Sequence, residues 1–469
     1  MFSKVREENL YLAIMFIFGL LLVFLIPPFN SPDEDSHFKK AYLVSNGIFY
    51  PEVRDGSAGN EMSISLADTI DAYKSFGMDY NKKYNYHRFL MDMQTLKISD
   101  EKKFYEYSTA KVNPVMYIVP ACGIIISNLF SKVLGINSTI TGMLYGARLM
   151  SLLIYSIVIY LAIKMSPKFK KSLLLMSLLP MTMFLISCVT YDSLLIAATF
   201  LLVGLVLNLR YSESKLETKH LIMIGCIAFV YINLKYIYIF NLLLLLLIPF
   251  KKVTSNKNIL KKSIMVVLFV MFAFILTNYN ILTLKGIVGS SLPGEQVKYV
   301  LKNPTNYVKT YFSTLLNNRF FYITTTIGVF GLLDTYMPTI LYLIYFIIAI
   351  IILLTDCNEK VKEKSSTITS KYKILIILMS FGMISLSFLA MYVNWTSIME
   401  GYGVGATSIT GVQGRYFIPA IIPLIIVFAN NFKWDFLEKL KKIISDNYGY
   451  VFVFYSLVMI SMIILRFWM

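Results

Sequence analysis

Ser31-Pro32-Asp33-Glu34-Asp35-Ser36-His37 places three carboxylates and a histidine directly after the first apolar run, Leu10 to Ile26. An acid there can take a proton from a hydroxyl, or hold a divalent ion between Asp33 and Glu34, although nothing in the chain requires a metal. His37 follows Asp33 by one helical turn and shares its face, so it can orient the acid or hydrogen-bond a phosphate. The same residues also read as a plain helix start over 31–47. Ser31 is then the N-cap, Pro32 the first position, Glu34 the partner in a capping box and Gly47 the stop. First-turn acids favour the helix dipole without further purpose, and His37 is then a surface side chain.

Four more places carry ionisable groups beside apolar spans. Tyr191-Asp192 stands between two spans, where Asp192 can hold a substrate hydroxyl or merely cap a helix from Ser193. Lys235 lies at a turn between apolar residues, so it either snorkels or binds an anion. Gln413-Gly414-Arg415-Tyr416 opens a later span; Gly414 allows close backbone approach, and a planar guanidinium suits two phosphate oxygens. Arg148, in the second span, offers the same chemistry or an interfacial anchor. Asp334, after Gly331-Leu-Leu, reads as a helix cap. Acids beside bases at a lipid–water boundary suit a lipid-linked phosphate leaving group, the bases holding the phosphate and an acid activating the acceptor.

The elements that must bring these residues together are membrane spans. Of 469 residues 57% are hydrophobic and the mean hydropathy is +0.64, which excludes a soluble domain. A net charge of +17 would suit nucleic acid, but the lysines recur between apolar spans at 164–171, 251–262, 356–373 and 433–442. That is orientation charge. Beyond residues 9–28, apolar spans fall near 142–163, 172–188, 193–209, 220–234, 236–250, 263–282, 335–355, 374–393, 416–431 and 449–467, about eleven transmembrane helices in one all-α domain, 1–469. With a cytoplasmic N-terminus, every Lys-rich connection falls inside provided that 114–131 is a re-entrant or interfacial helix and 306–333 also does not cross. Large outer loops then span 29–141 and 283–334, and Asp33, Arg148, Asp192, Lys235 and Arg415 share the outer face. The first span reads as a retained anchor. Cys122, Cys188, Cys226 and Cys357 have no paired spacing, so neither a disulfide framework nor a metal cluster is expected. Lys, Asn, Ile and Tyr usage suggests an AT-rich bacterial genome, and the expected location is the bacterial plasma membrane.

Pro32-Asp33-Glu34-x-x-His37 with Ala41-Tyr42 and Gly47 resembles a group of bacterial polytopic membrane proteins of unknown function. So do Asn113-Pro114-Val-Met-Tyr117, Ala147-Arg148-Leu149, Tyr191-Asp192-Ser193, Gly331-Leu-Leu-Asp334 and Gln413-Gly-Arg-Tyr-Phe-Ile-Pro419. The group is similar to the GT-C glycosyltransferases, multi-span inverting enzymes that use polyprenyl-phosphate sugars. The resemblance implies a GT-C-like bundle whose first outer loop carries membrane-lying helices, with an acid after the first span, here Asp33 beside Glu34, at the catalytic centre. A single proline, Pro114, stands where related enzymes often have a Pro-Pro pair. The expectation is transfer of a sugar from a polyprenyl-phosphate carrier to a cell-envelope glycan or lipid-linked acceptor. Asp33, Glu34 and His37 would be catalytic, and Arg148, Tyr191, Asp192, Lys235, Gln413, Arg415 and Tyr416 would bind substrate. A lipid-linked glycan flippase is the rival of another class; it predicts mid-membrane charges and repeated broken helices, which the chain lacks. An envelope polysaccharide polymerase differs only in its product.

Overall fold

A computed structural model describes residues 5–254, 258–286, 290–356, 368–430 and 435–469. The chain is mostly helical. Among the described residues eight helices are long and apolar enough to cross a membrane by length and composition: Glu7–Leu25, Pro114–Val133, Ile140–Met165, Tyr191–Tyr211, Ile259–Leu282, Thr339–Asp356, Ser370–Thr396 and Asn447–Phe467. Three shorter apolar helices, Thr218–Leu234, Tyr236–Leu247 and Gly414–Phe428, complete the set. Much of the Lys-rich stretch 356–373 with Cys357, and part of 433–442, lie outside the described residues.

Several expected spans differ, and proline explains two of them. The run 172–188 is two short helices, Lys170–Ser177 and Pro180–Ile186. Pro180 forces Leu179 into an extended conformation and begins the second helix. Pro419 and Pro423 remove backbone donors from 414–428, which winds in 3₁₀ turns around one short α-helical turn. Tyr236–Leu247 is also 3₁₀; its sequence gives us no reason for that. The stretch 306–333 breaks at Asn318 into helices Pro304–Asn317 and Arg319–Ile327. Pro114–Val133 forms one helical stretch of crossing length.

The expected all-α architecture also gains strands. Glu52–Arg54, Ser57–Ser63 and Lys102–Glu106 form an antiparallel sheet in the order of the chain, within the long connection after the first span. Val329–Phe330 pairs with Thr335–Tyr336 around Gly331-Leu-Leu-Asp334. Asp334 is therefore no helix cap: it accepts from the Thr335 hydroxyl and from Arg466 Nε at 2.9 Å, tying this turn to the last helix.

Contacts between helix ends divide the bundle into two ends. Glu8 pairs with Lys170 at 2.9 Å, and Lys252 donates to Leu209 O at 2.7 Å, which gathers one end. At the other, Arg148 donates to Val23 O and Ile26 O, while Asn113 donates to Asn233 Oδ1 and Thr277 Oγ1, both at 2.8 Å. Gly123 lies against Gly146 so closely that a Cβ on either would meet backbone at 2.3–2.6 Å. Ser127 Oγ donates to Gly142 O, so Ile118–Val133 packs antiparallel on Ile140–Met165. The small residues let the backbones touch, as helix pairs in lipid favour.

Candidate functional site

Asp33, Asp192, Lys235 and Arg415 meet at the second end of the bundle from four distant segments. Arg415 donates from Nη1 to Asp192 Oδ2 at 3.0 Å, from Nη2 to Asp33 Oδ2, and from Nε to Gln413 Oε1 at 2.6 Å. Lys235 Nζ donates to Asp192 Oδ1 at 3.1 Å and sits 4.0 Å over the Tyr416 ring and 5.2 Å over that of Tyr191. Two cations thus balance two anions, which is the condition for burying Arg415 and Asp192. The aromatic faces add cation–π attraction of about 1 kcal/mol each.

Local backbone holds each group in place. The expected capping box of Ser31 and Glu34 is absent: the helix begins at Glu34, not at Pro32, and runs to Ser45, so that Asp33 rather than Ser31 precedes it, at φ 61° with no cap bond from its side chain. That left-handed conformation costs a non-glycine residue roughly 1 kcal/mol, and strained residues gather at functional sites. The expected stop is present, with Gly47 at φ 76°. Asp192 is not the cap of a helix from Ser193. The helix begins at Tyr191, Thr190 accepts from Asp192 N, and the carboxylate is free to pair with the cations. Gly414 allows the Arg415 turn to lie on the Arg319–Ile327 helix, since a Cβ would meet Tyr322 O at 2.2 Å.

Burial works against the charge on Asp33, but the Arg415 guanidinium overrides it and holds this carboxyl below the usual range. Burial likewise opposes the Lys235 ammonium, and Asp192 overrides it, so Lys235 stays charged. His37 is no surface histidine. It is 2% exposed, shares a hydrogen bond of 2.7 Å between Nδ1 and Tyr117 OH, and meets the Tyr191 ring edge-on at 4.5 Å. Burial pushes it down to about 4, so it is neutral at pH 7.

Glu34 and Arg148 take a different part from the one expected of them. Arg148 Nε and Nη2 donate to Glu34 Oε1 and Oε2 at 2.8 and 2.5 Å, and the remaining N–H groups go to the carbonyls of Val23, Ile26 and Pro27. Both side chains are 0% exposed. With all five donors used, Arg148 has none for a phosphate. Glu34 also accepts from Val189 N at 3.0 Å and is turned away from Asp33, so these neighbours form no divalent-ion pair. Among the described residues no group of three His, Cys, Asp or Glu could hold a metal. The carboxylates that do converge, Asp33 and Asp192, already face two cations, so the site does not fit a divalent ion.

A family model described as Predicted membrane protein (DUF2142) matches residues 16–425. The chain belongs to that family. No curated protein and no solved structure matches it. The stretch that carries the family match contains all of the site, together with Tyr117 and the Asn113–Asn233–Thr277 cluster. Tyr117 had been legible only as the last residue of Asn113-Pro114-Val-Met-Tyr117, without a role; its hydroxyl is what fixes His37. Arg466, the partner of Asp334, falls beyond the matched range.

An apolar groove of about 800 Å³ opens on the side of the bundle. It runs between Thr218–Leu234 and Ile259–Leu282, with Val115, Met116 and Leu194 among its lining residues and Lys262 bonded to Thr218 at 2.9 Å elsewhere in its wall. Met116 precedes Tyr117 and Leu194 follows Asp192 by two residues, so this almost wholly apolar groove is built partly on segments that also carry residues of the site.

Proposed function

We propose that this membrane protein is an inverting glycosyltransferase that moves a sugar from a polyprenyl-phosphate carrier to a cell-envelope glycan or lipid-linked acceptor at the outer face of the bacterial plasma membrane. The observation that carries the reading is one half-open carboxylate, Asp33, set against a buried guanidinium, Arg415, which Asp192 joins to the partly buried ammonium of Lys235. The groove has the chemistry of a hydrocarbon tail, and the cations that of its phosphate.

In the reaction an acceptor oxygen attacks the anomeric carbon from the face opposite the phosphate. The bond from that carbon to the phosphate oxygen breaks, and its electron pair leaves with the phosphate. Arg415 and Lys235 stabilise the charge that develops there. Asp33 takes the proton of the acceptor hydroxyl, and its exposure leaves room for that hydroxyl to approach. His37, neutral and held by Tyr117, borders the site as a hydrogen-bonding group, and Asp192 keeps Lys235 and Arg415 together. Direct displacement needs no covalent intermediate on the protein.

The test compares envelope glycans by mass spectrometry in a deletion strain complemented with wild type or Asp33→Asn at equal protein level. Loss of one defined sugar in both the deletion and the Asp33→Asn strain is expected. An Asp33→Asn strain with wild-type glycans would remove Asp33 from the reaction. A complete but untransferred carrier-linked glycan pool on the inner leaflet would point instead to a flippase.

A further inference from the structure

The four charges of the site are unequal in a way that charge balance alone does not require. Asp192 is 4% exposed and engages both cations, Lys235 at 3.1 Å and Arg415 at 3.0 Å. Asp33 engages Arg415 alone, and its side chain is 55% exposed against 1% for the guanidinium. Arg415 is closed elsewhere by Gln413 on Nε and Asp192 on Nη1, with the Tyr416 hydroxyl at 3.4 Å from Nη2. The one corner of the guanidinium that opens outward is therefore covered by Asp33.

We infer that Asp33 is an exchangeable stand-in for the substrate phosphate on Arg415, displaced when the lipid-linked donor binds, and that Asp192 is the positioning residue holding Arg415 and Lys235 in place through the exchange. The inference rests on the phosphate-donor reading above. A phosphodiester brings one further negative charge to a cluster that already balances. Beside the buried Arg415 and Asp192 that excess is costly, and the carboxylate with one partner and an open side is the one that leaves. Asp192, buried and with two partners, stays.

The exchange orders the reaction. While Asp33 is bound to Arg415 one of its oxygens is engaged by the guanidinium and its affinity for a proton is held down. Once phosphate takes Arg415, Asp33 faces an anion instead of a cation and becomes a better base. The other groups that face it are His37 on its own helix, neutral at pH 7, and Asp192 on the Tyr191–Tyr211 helix. Neither replaces the lost cation. The acceptor is thus deprotonated only in a site that already contains donor.

The exchange is measurable without knowing the sugar. The protein in phosphatidylcholine nanodiscs is titrated with the methyl diester of polyprenyl phosphate, which keeps one charge from pH 4 to 8, and with the uncharged polyprenol of equal length. Wild type should prefer the diester. Asp33→Asn removes the competing anion and should bind the diester roughly tenfold tighter or more. Asp192→Asn also removes a negative charge, yet should bind it more weakly because the cations lose their anchor; Asp192→Glu gives the same reading if the Asn variant does not fold. Wild-type affinity should rise as pH falls from 7 to 4, since displaced Asp33 takes up a proton, and Asp33→Asn should show no such rise. Equal or weaker binding by Asp33→Asn, or equal pH profiles, overturns the exchange. Tightening by both Asp→Asn variants overturns the role of Asp192 alone. No preference for the diester over polyprenol in any variant defeats the phosphate-donor reading itself.

Discussion

Glu34 and Arg148 form an ion pair that water does not reach, whereas Asp33, one residue earlier, pairs with Arg415 while more than half of its side chain stays open. Both arginines are buried and both are doubly bonded to carboxylate oxygens. The difference lies in what remains. Arg148 uses every N–H on Glu34 and on the carbonyls at the end of the first span, so it locks that end to the Ile140–Met165 helix. Arg415 is held by groups of its own turn and by Asp192, and its last contact faces outward. Saturation and closure mark a pair that builds the structure; an open partner marks one that can exchange.

The widest separation between the two pairs should appear in stability. Arg148→Met leaves Glu34 as a lone buried charge and frees three carbonyls, which should lower stability by about 3–5 kcal/mol and remove most folded protein. Thermal melting in detergent checks it, and Glu34→Leu combined with Arg148→Met should recover part of the loss. An Arg148→Met protein that melts like wild type and is merely inactive would erase the distinction drawn here. Asp33→Asn should do the opposite: activity down about 100-fold or more with little change in melting, because a half-exposed carboxylate contributes little to the fold. Arg415→Lys should also lose activity, since a single ammonium cannot hold Gln413, Asp192 and a third oxygen in one plane. Gly414→Ala tests the backbone beneath Arg415. Its Cβ would press on Tyr322 O and on Thr326 N at 2.5 Å, so about 2 kcal/mol of stability and much of the activity should be lost together.

The same contrast explains what could be read from the chain. Residue types and their place at span ends were enough to gather Asp33, Asp192, Lys235 and Arg415 at one end, because a charge bordering lipid must find a partner or water. They could not separate Glu34 from Asp33, since both acids sit in one first turn and only the three-dimensional path of Ile140–Met165 decides which of them meets Arg148. Tyr117 and Gln413 were visible in motifs, but the bond of Tyr117 to His37 joins distant segments, and that of Gln413 to Arg415 depends on the local path of its turn. Helix type failed where backbone geometry outweighed hydropathy, at Pro180, Pro419 and Pro423. The small sheet at 52–106 carries little alternation of burial on its outer strands, which removes the period-two signal that would have announced it.

The smallest effect falls on the border of the open pair, at His37. Burial lowers it from about 6.5 to about 4, so between those values the unfolded chain binds a proton that the folded protein does not. Stability from this group is therefore full above pH 6.5 and is lost as pH falls toward 4, with a slope of at most about 1.4 kcal/mol per pH unit. Asp33, whose carboxyl is also held low, acts in the same direction but nearer pH 4 and weakly, because it is exposed. His37→Gln keeps a hydrogen-bonding group beside Tyr117 and cannot titrate, so its melting temperature should stay level from pH 6.5 to 5 where wild type declines. Parallel curves for the two proteins would mean that His37 is charged in the folded site, and the hydrogen bond with Tyr117 would then be one that the imidazolium donates to the phenol oxygen. In that case His37 would add a third cation to the cluster, the balance of two against two would no longer hold, and a phosphate could enter without displacing Asp33.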